Sequence, residues 1–280
     1  MHYWTKRLFA LAAPLLLTGC LWGPGKFNSG LTLRKDGSFV LDYHGEMVLQ
    51  IPADEAIGGP WKAEMARCFQ GMPNKTRTQA VVVEPGAEAA KQRPCTAAEI
   101  EAQKSDYEQD AARKRKQAES MAKLFGLPGL DDESNRAFAA KLMKYAGWRS
   151  VTYRGKGVFD VDYHFAGSAK QDFLFPALPD NDLLIPFVAI RRRADGAVLV
   201  TAPAFTGGAG PLASRIPEAM SGDTKTDIVS HADGRFTVIT DGEILTNNSE
   251  DGPTSDPLGR QVHWDVNSTS KKIPETLIRL

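Results

Sequence analysis

The chain has 280 residues, of which 42% are hydrophobic, 24% charged and 9% aromatic. That is enough apolar material for one large or two small buried cores, and too much for a disordered chain. Lys+Arg and Asp+Glu number 34 each, which removes the electrostatic basis for a nucleic-acid partner, and no apolar run reaches about 18 residues, which excludes a polytopic helical membrane protein.

Met1 to Arg7 is a short segment ending in the basic pair Lys6-Arg7, and Leu8 to Leu17 is an apolar run interrupted by Pro14. A basic start, a short apolar stretch and a small residue at a boundary form a secretory signal. The run ends in Leu17-Thr18-Gly19-Cys20, which resembles the lipobox of bacterial lipoproteins. The resemblance implies cleavage after Gly19, diacylglycerol on the Cys20 sulfur and acylation of the new amine. Residues 1–19 are then the signal and 20–30 a lipidated Gly/Pro tether. Each buried methylene of the acyl chains contributes roughly 0.8 kcal/mol, so two or three chains hold the protein on a membrane. Leu21 rather than Asp follows the cysteine, resembling Gram-negative lipoproteins forwarded to the outer membrane. Removing the signal takes two of the 34 basic side chains, Lys6 and Arg7, and none of the 34 acidic ones, for a net charge of −2.

With Cys20 lipidated, Cys68 and Cys95 remain of the three cysteines. In an oxidising periplasm a disulfide is the default for such a pair, contributing roughly 3 kcal/mol by loop closure. No CxxC or His cluster nearby suggests a structural metal.

Residues 31–51 read as a β-hairpin turning at Asp36-Gly37, because Asp-Gly between alternating apolar residues favours a tight turn. Residues 52–95 are mixed, with one strand expected at Val81-Val82-Val83. Thr96, with Glu99 three positions on, starts a helix over 97–125 that Leu127-Pro128-Gly129 stops. Asp131 or Asp132 caps a second helix reaching about Gly147. From Trp148 onward the chain is β-rich. Asp-Gly recurs at 195–196, 233–234, 241–242 and 251–252, which favours antiparallel hairpins over parallel βαβ units. The expected fold is α+β over 31–280: antiparallel hairpins forming a sheet, with a two-helix segment at about 97–147 between β segments. Pro203 to Pro217 reads as a long loop.

An internal repeat relates residues 31–46 to 151–166, with seven identities that include Asp42-Tyr43-His44 and Asp162-Tyr163-His164. In strands, Phe39, Leu41 and Tyr43 share one face, as do Phe159, Val161 and Tyr163. Asp42 with His44, and Asp162 with His164, take the opposite face. If both hairpins join one sheet, the aromatics pack inward and the polar groups face water or pair across strands. If the two strands lie side by side, two carboxylates and two imidazoles converge, a set suited to a divalent transition metal or to proton transfer.

Other motifs carry less. Gly207-Gly208-Ala209-Gly210 lacks the Lys-Ser/Thr of a phosphate loop. Arg191-Arg192-Arg193 before Asp195-Gly196 reads as a solvated hairpin tip, and Lys114-Arg115-Lys116 as a solvated helix face. No GxSxG or HExxH motif occurs, so no catalytic residue and no cofactor is assigned.

Near the C-terminus, Phe236 to Asn248 precedes Gly259 to Val266, in which Val262, Trp264 and Val266 share one face and Gln261, His263 and Asp265 the other. This order, together with the Leu31–Tyr43 hairpin after a lipidated cysteine, resembles the LppM-type envelope lipoproteins. That resemblance implies a non-enzymatic α+β domain associated with envelope lipids or glycolipids, and it carries over no binding residue. The expected role is a membrane-anchored, periplasm-facing lipoprotein that binds or scaffolds an envelope lipid or protein. An apolar groove lined by Phe173, Phe175, Leu183, Leu184 and Phe187 would suit a lipid. The alternatives are a metal-dependent or acid/base hydrolase using the paired Asp/His strands, and a purely structural envelope protein.

Overall fold

The computed structural model describes residues 22–49, 59–70, 92–124, 128–129, 131–178, 185–207 and 231–280. The chain divides into two compact units, residues 52–124 and the remainder. Among the described residues there are 14 strands and two helices, the latter α1 (Ala97–Leu124) and α2 (Asp132–Leu142).

The larger unit is built on a seven-stranded sheet. Its first two strands, β1 (Trp22–Leu33) and β2 (Ser38–Leu49), form the expected hairpin around Gly37, whose φ of 85° is one that glycine adopts without strain. The second hairpin of the sheet is β5 (Trp148–Gly155) with β6 (Val158–Ser168). The remaining strands are β10 (Asp233–Thr240), β12 (Thr254–Asp256) and β13 (Gly259–Val266), and the order is β12-β13-β10-β1-β2-β6-β5. A five-stranded sheet has the order β11-β14-β9-β8-β7, from β7 (Phe173–Phe175), β8 (Val188–Arg192), β9 (Val198–Thr201), β11 (Glu243–Asn247) and β14 (Glu275–Arg279). The α+β class with antiparallel hairpins is as expected.

Three details differ from the sequence reading. Residues 22–30 are not a tether but the first part of β1, with Trp22 only 1% exposed and Phe27 buried. Tertiary pairing overrides the Gly/Pro composition there. β1 lies between β2 and β10, and the chain passes a bulge between Pro24 and Phe27 opposite Gly45. A side chain at Gly45 would strike the Lys26 carbonyl at 2.3 Å. Second, β1 and β10 pair in parallel, and a pairing between segments so far apart in sequence leaves no turn signal. Third, only Asp36-Gly37 and Asp195-Gly196 sit at hairpin turns. Asp233-Gly234 opens β10, while Asp241-Gly242 and Asp251-Gly252 lie where the chain passes between the two sheets. Asp-Gly permits a sharp turn but does not decide which strands pair across it.

Alternation places Phe39, Leu41 and Tyr43 of β2, and Phe159, Val161 and Tyr163 of β6, in the core. Aromatic rings join the sheets: Phe27 stacks on Phe205 at 4.2 Å, Tyr163 meets Phe175 at 4.4 Å, and Tyr43 meets Phe175 and Phe187 at 5.2 and 5.7 Å. Helix α2 adds Phe138 against Trp22 and Phe159. Asp131 caps α2 by accepting a hydrogen bond from the Ser134 amide at 2.8 Å, and the helix ends at Leu142 rather than about Gly147.

The smaller unit has a 3-10 turn (Ala63–Met65), the short pair β3 (Cys68–Phe69) and β4 (Gln92–Arg93), and α1. The Thr96–Glu99 capping box is present: the Thr96 amide donates to Glu99 Oε2 at 2.8 Å and the Glu99 amide to Thr96 Oγ1 at 3.3 Å. Most of the described side chains along α1 are exposed. The strand expected at Val81–Val83 lies outside the described residues.

Candidate functional site

The repeated Asp-Tyr-His segments are neighbours. β2 and β6 pair antiparallel with Tyr43 opposite Tyr163, so Asp42 faces His164 and His44 faces Asp162. The tyrosines point into the core, which forces Asp and His to the outer face. His164 Nδ1 lies 2.6 Å from Asp42 Oδ1, within hydrogen-bonding distance. His44 Nδ1 lies 3.2 Å from Asp162 Oδ1, an ion-pair distance outside hydrogen-bond alignment. Side-chain exposures run from 35% to 54%, although Asp162 Oδ1, the atom facing His44, is itself buried and accepts no hydrogen bond.

The first reading is met, because both hairpins join one sheet, the aromatics pack inward and the polar groups pair across strands; of the second, the two strands do lie side by side. The four groups resolve into two dyads, and among the described residues no cluster of three or more His, Cys, Asp or Glu is arranged to hold a metal ion. The metal alternative on Asp42, His44, Asp162 and His164 asks for all four groups at one point, and the register instead sets them in two cross-strand pairs. Each imidazole is engaged by the carboxylate directly opposite it, so the set does not converge on one point. In its place stand two half-exposed dyads, each able to accept or deliver a proton.

The outer face continues across the sheet. His263 occupies it on β13, its Nε2 3.2 Å from Asp251, while Val262, Trp264 and Val266 are buried as expected. Arg235 of β10 holds Asp265 through two hydrogen bonds of 2.6 and 2.9 Å, and this contact lowers the Asp265 pKa below the usual carboxylate range. Three of the five histidines in the chain thus lie on one sheet face, each beside an aspartate. The strand alternation around His263 was legible in the sequence. Its partner Asp251 was not, because it lies in a connection between sheets. Asn248 was missed for the same reason: its Oδ1 accepts from Trp264 Nε1 at 2.9 Å and from the Glu275 amide at 3.0 Å.

Of the five residues expected to line an apolar groove, three are described. Phe175 and Phe187 are fully buried, and Phe173 packs on Phe39 and Phe165 at 5.0 and 5.1 Å. Aromatic packing between the sheets consumes these rings. Leu183 and Leu184 lie outside the described residues. In the stretch read as a long loop from Pro203, Phe205 is a core residue. Arg191, Arg192 and Arg193 are exposed beside the Asp195-Gly196 turn, with Arg193 paired to Asp195 at 3.0 Å.

In the smaller unit Cys68 and Cys95 form the expected disulfide, with Cα atoms 5.3 Å apart. Arg93 grips Glu99 through two hydrogen bonds of 2.6 and 2.8 Å. That bond, reinforced by the Thr96 amide, brings the Glu99 pKa down to about 2. Cys20 lies outside the described residues. Among those described, no helix is long and apolar enough to cross a membrane. No family model matches the chain, and no curated protein is detectably similar to it.

Proposed function

We propose that the chain is an acylated lipoprotein, held through Cys20 on the periplasmic side of a bacterial membrane, whose folded units bind or scaffold an envelope lipid or protein. The observation that carries this reading is Leu17-Thr18-Gly19-Cys20 after a basic start and a ten-residue apolar run. The disulfide of the smaller unit supports it, because such bonds persist in oxidising compartments. A scaffold rather than a ligand carrier is favoured because the aromatic residues that could line an apolar groove are spent in the core.

The test is the intact mass and detergent partitioning of protein recovered from cells. The expected result is a chain beginning at Cys20 and carrying diacylglycerol and an N-acyl group, with Cys20→Ser shifting it to the aqueous phase. A water-soluble chain that retains Met1 would overturn the reading.

A second reading, acid/base hydrolysis, is favoured by one observation, the short His164–Asp42 contact. It predicts turnover of a chromogenic ester or phosphoester that His164→Gln abolishes. Turnover unaffected by that substitution removes it.

A further inference from the structure

We infer that the end of the larger unit carrying Trp22, Leu49 and the Gly155-Lys156-Gly157 turn faces the lipid surface, with Lys156 contacting lipid phosphate. This rests on acylation at Cys20 as proposed above. Strand β1 starts two residues after Cys20, and two residues reach at most about 7 Å. The folded sheet therefore begins at the depth of the headgroups.

The register identifies what else lies at that end. Trp22 pairs with Leu49, and the Leu49 amide donates to the Gly157 carbonyl at 2.8 Å. The β5–β6 turn is thus brought level with the start of β1. Lys156 forms the tip of this turn. It is exposed, has no ion-pair partner among the described residues, and is flanked by two glycines that put no side chain beside it. Its φ of 51° lies in the left-handed region, where Asn or Gly is the usual choice in a tight hairpin turn. A lysine at a position the backbone disfavours points to use of its ammonium. A compact ammonium with three donors suits a phosphate. The opposite end, at the Gly37 turn, stands off by the length of the 12-residue strand β2, roughly 40 Å.

The test places the acylated full chain on phosphatidylethanolamine–phosphatidylglycerol vesicles whose headgroups carry a fluorescence quencher. A fluorophore attached at position 152, near the proposed contact, is compared with one attached at position 38. The expected result is quenching at least threefold stronger at 152. Lys156→Asn, which suits the turn and keeps the fold, should cut that difference by half or more with the melting temperature kept or raised. Acylated protein quenched equally at both positions, or more strongly at 38, overturns the orientation alone. An unchanged difference in Lys156→Asn overturns the phosphate contact. Unacylated protein by mass overturns the lipoprotein reading and this inference with it.

Discussion

Tyr43 and Tyr163 are register partners at the centre of the β2–β6 pair, and each is the middle residue of an Asp-Tyr-His segment. Exchanging the two strands maps Asp42–His164 onto Asp162–His44. The sequence repeat has therefore folded as two hairpins related by a local two-fold axis through the tyrosines, the self-complementary arrangement of a symmetric dimer contained in one chain. The environments of the two rings differ beyond this axis. Tyr43 is wholly buried and its hydroxyl donates to the Glu46 carbonyl at 2.6 Å, whereas Tyr163 packs edge-on against Trp148 at 5.2 Å.

Removing the Tyr43 hydroxyl tests the first of these contacts. Tyr43→Phe should destabilise the larger unit by about 1–2 kcal/mol, the cost of losing a buried hydrogen bond, whereas Tyr43→Ala should cost about 3–5 kcal/mol through the cavity it leaves. Urea unfolding curves measure both. A Tyr43→Phe variant as stable as the parent would mean that the bond contributes nothing.

Burial pushes the Tyr163 phenol up to about 12 and the Tyr43 phenol well above its usual 10. Above pH 10 the unfolded chain loses phenolic protons that the folded one keeps. Stability is therefore fully present below pH 10 and declines as pH rises toward 12. Absorbance at 295 nm should show these two phenols ionising only together with unfolding. Ionisation of all tyrosines near pH 10 in folded protein would contradict the burial.

The acid side is set in the smaller unit. Glu99 is held near 2 against a usual 4.5, first by its hydrogen bond to Arg93 and then by the Thr96 amide. A depressed carboxyl contributes stability above pH 4.5, and that contribution is lost as pH falls toward 2. Helical circular dichroism from α1 should decline over that interval. In Glu99→Gln the decline should be shallower, with helicity already lower at pH 7. An identical acid profile in the variant would show that the Arg93–Glu99 contact does not govern the helix.

The Cys68–Cys95 bridge closes a loop across 27 positions. Chain entropy assigns such a closure about 3.5 kcal/mol. Replacing both cysteines with serine should lower the stability of the smaller unit by that order. Chemical denaturation followed by hydrogen exchange in α1 reads the loss, and exchange as slow as in the parent would sink the expectation.

The Asp–His dyads should matter little for folding. Their side chains are a third to a half exposed, and pairs so exposed contribute under about 1 kcal/mol. His44→Gln and His164→Gln, singly or together, should leave the unfolding midpoint within that margin. A loss of several kcal/mol would show the dyads to be part of the structural frame.

The residues of the chain determined by themselves whatever depends on local periodicity. The alternation in Phe39–Tyr43 and Phe159–Tyr163, the cap formed by Thr96 and Glu99, and the turn at Asp36-Gly37 each follow from chemistry within a few residues. Cys68 and Cys95 could be paired only once Cys20 was set aside as the lipobox cysteine, because the two that remain of the three allow a single pairing. The tertiary structure alone decided that β2 and β6 are neighbours, that β1 runs parallel to β10, and that Trp22 and Phe27 lie in the core instead of a tether. It also spent Phe175 and Phe187 on the junction between sheets, and it set His263 beside Asp251. These outcomes depend on which distant surfaces bury the most apolar area against one another. That competition is settled between segments far apart in the chain, so no short stretch of sequence records its result.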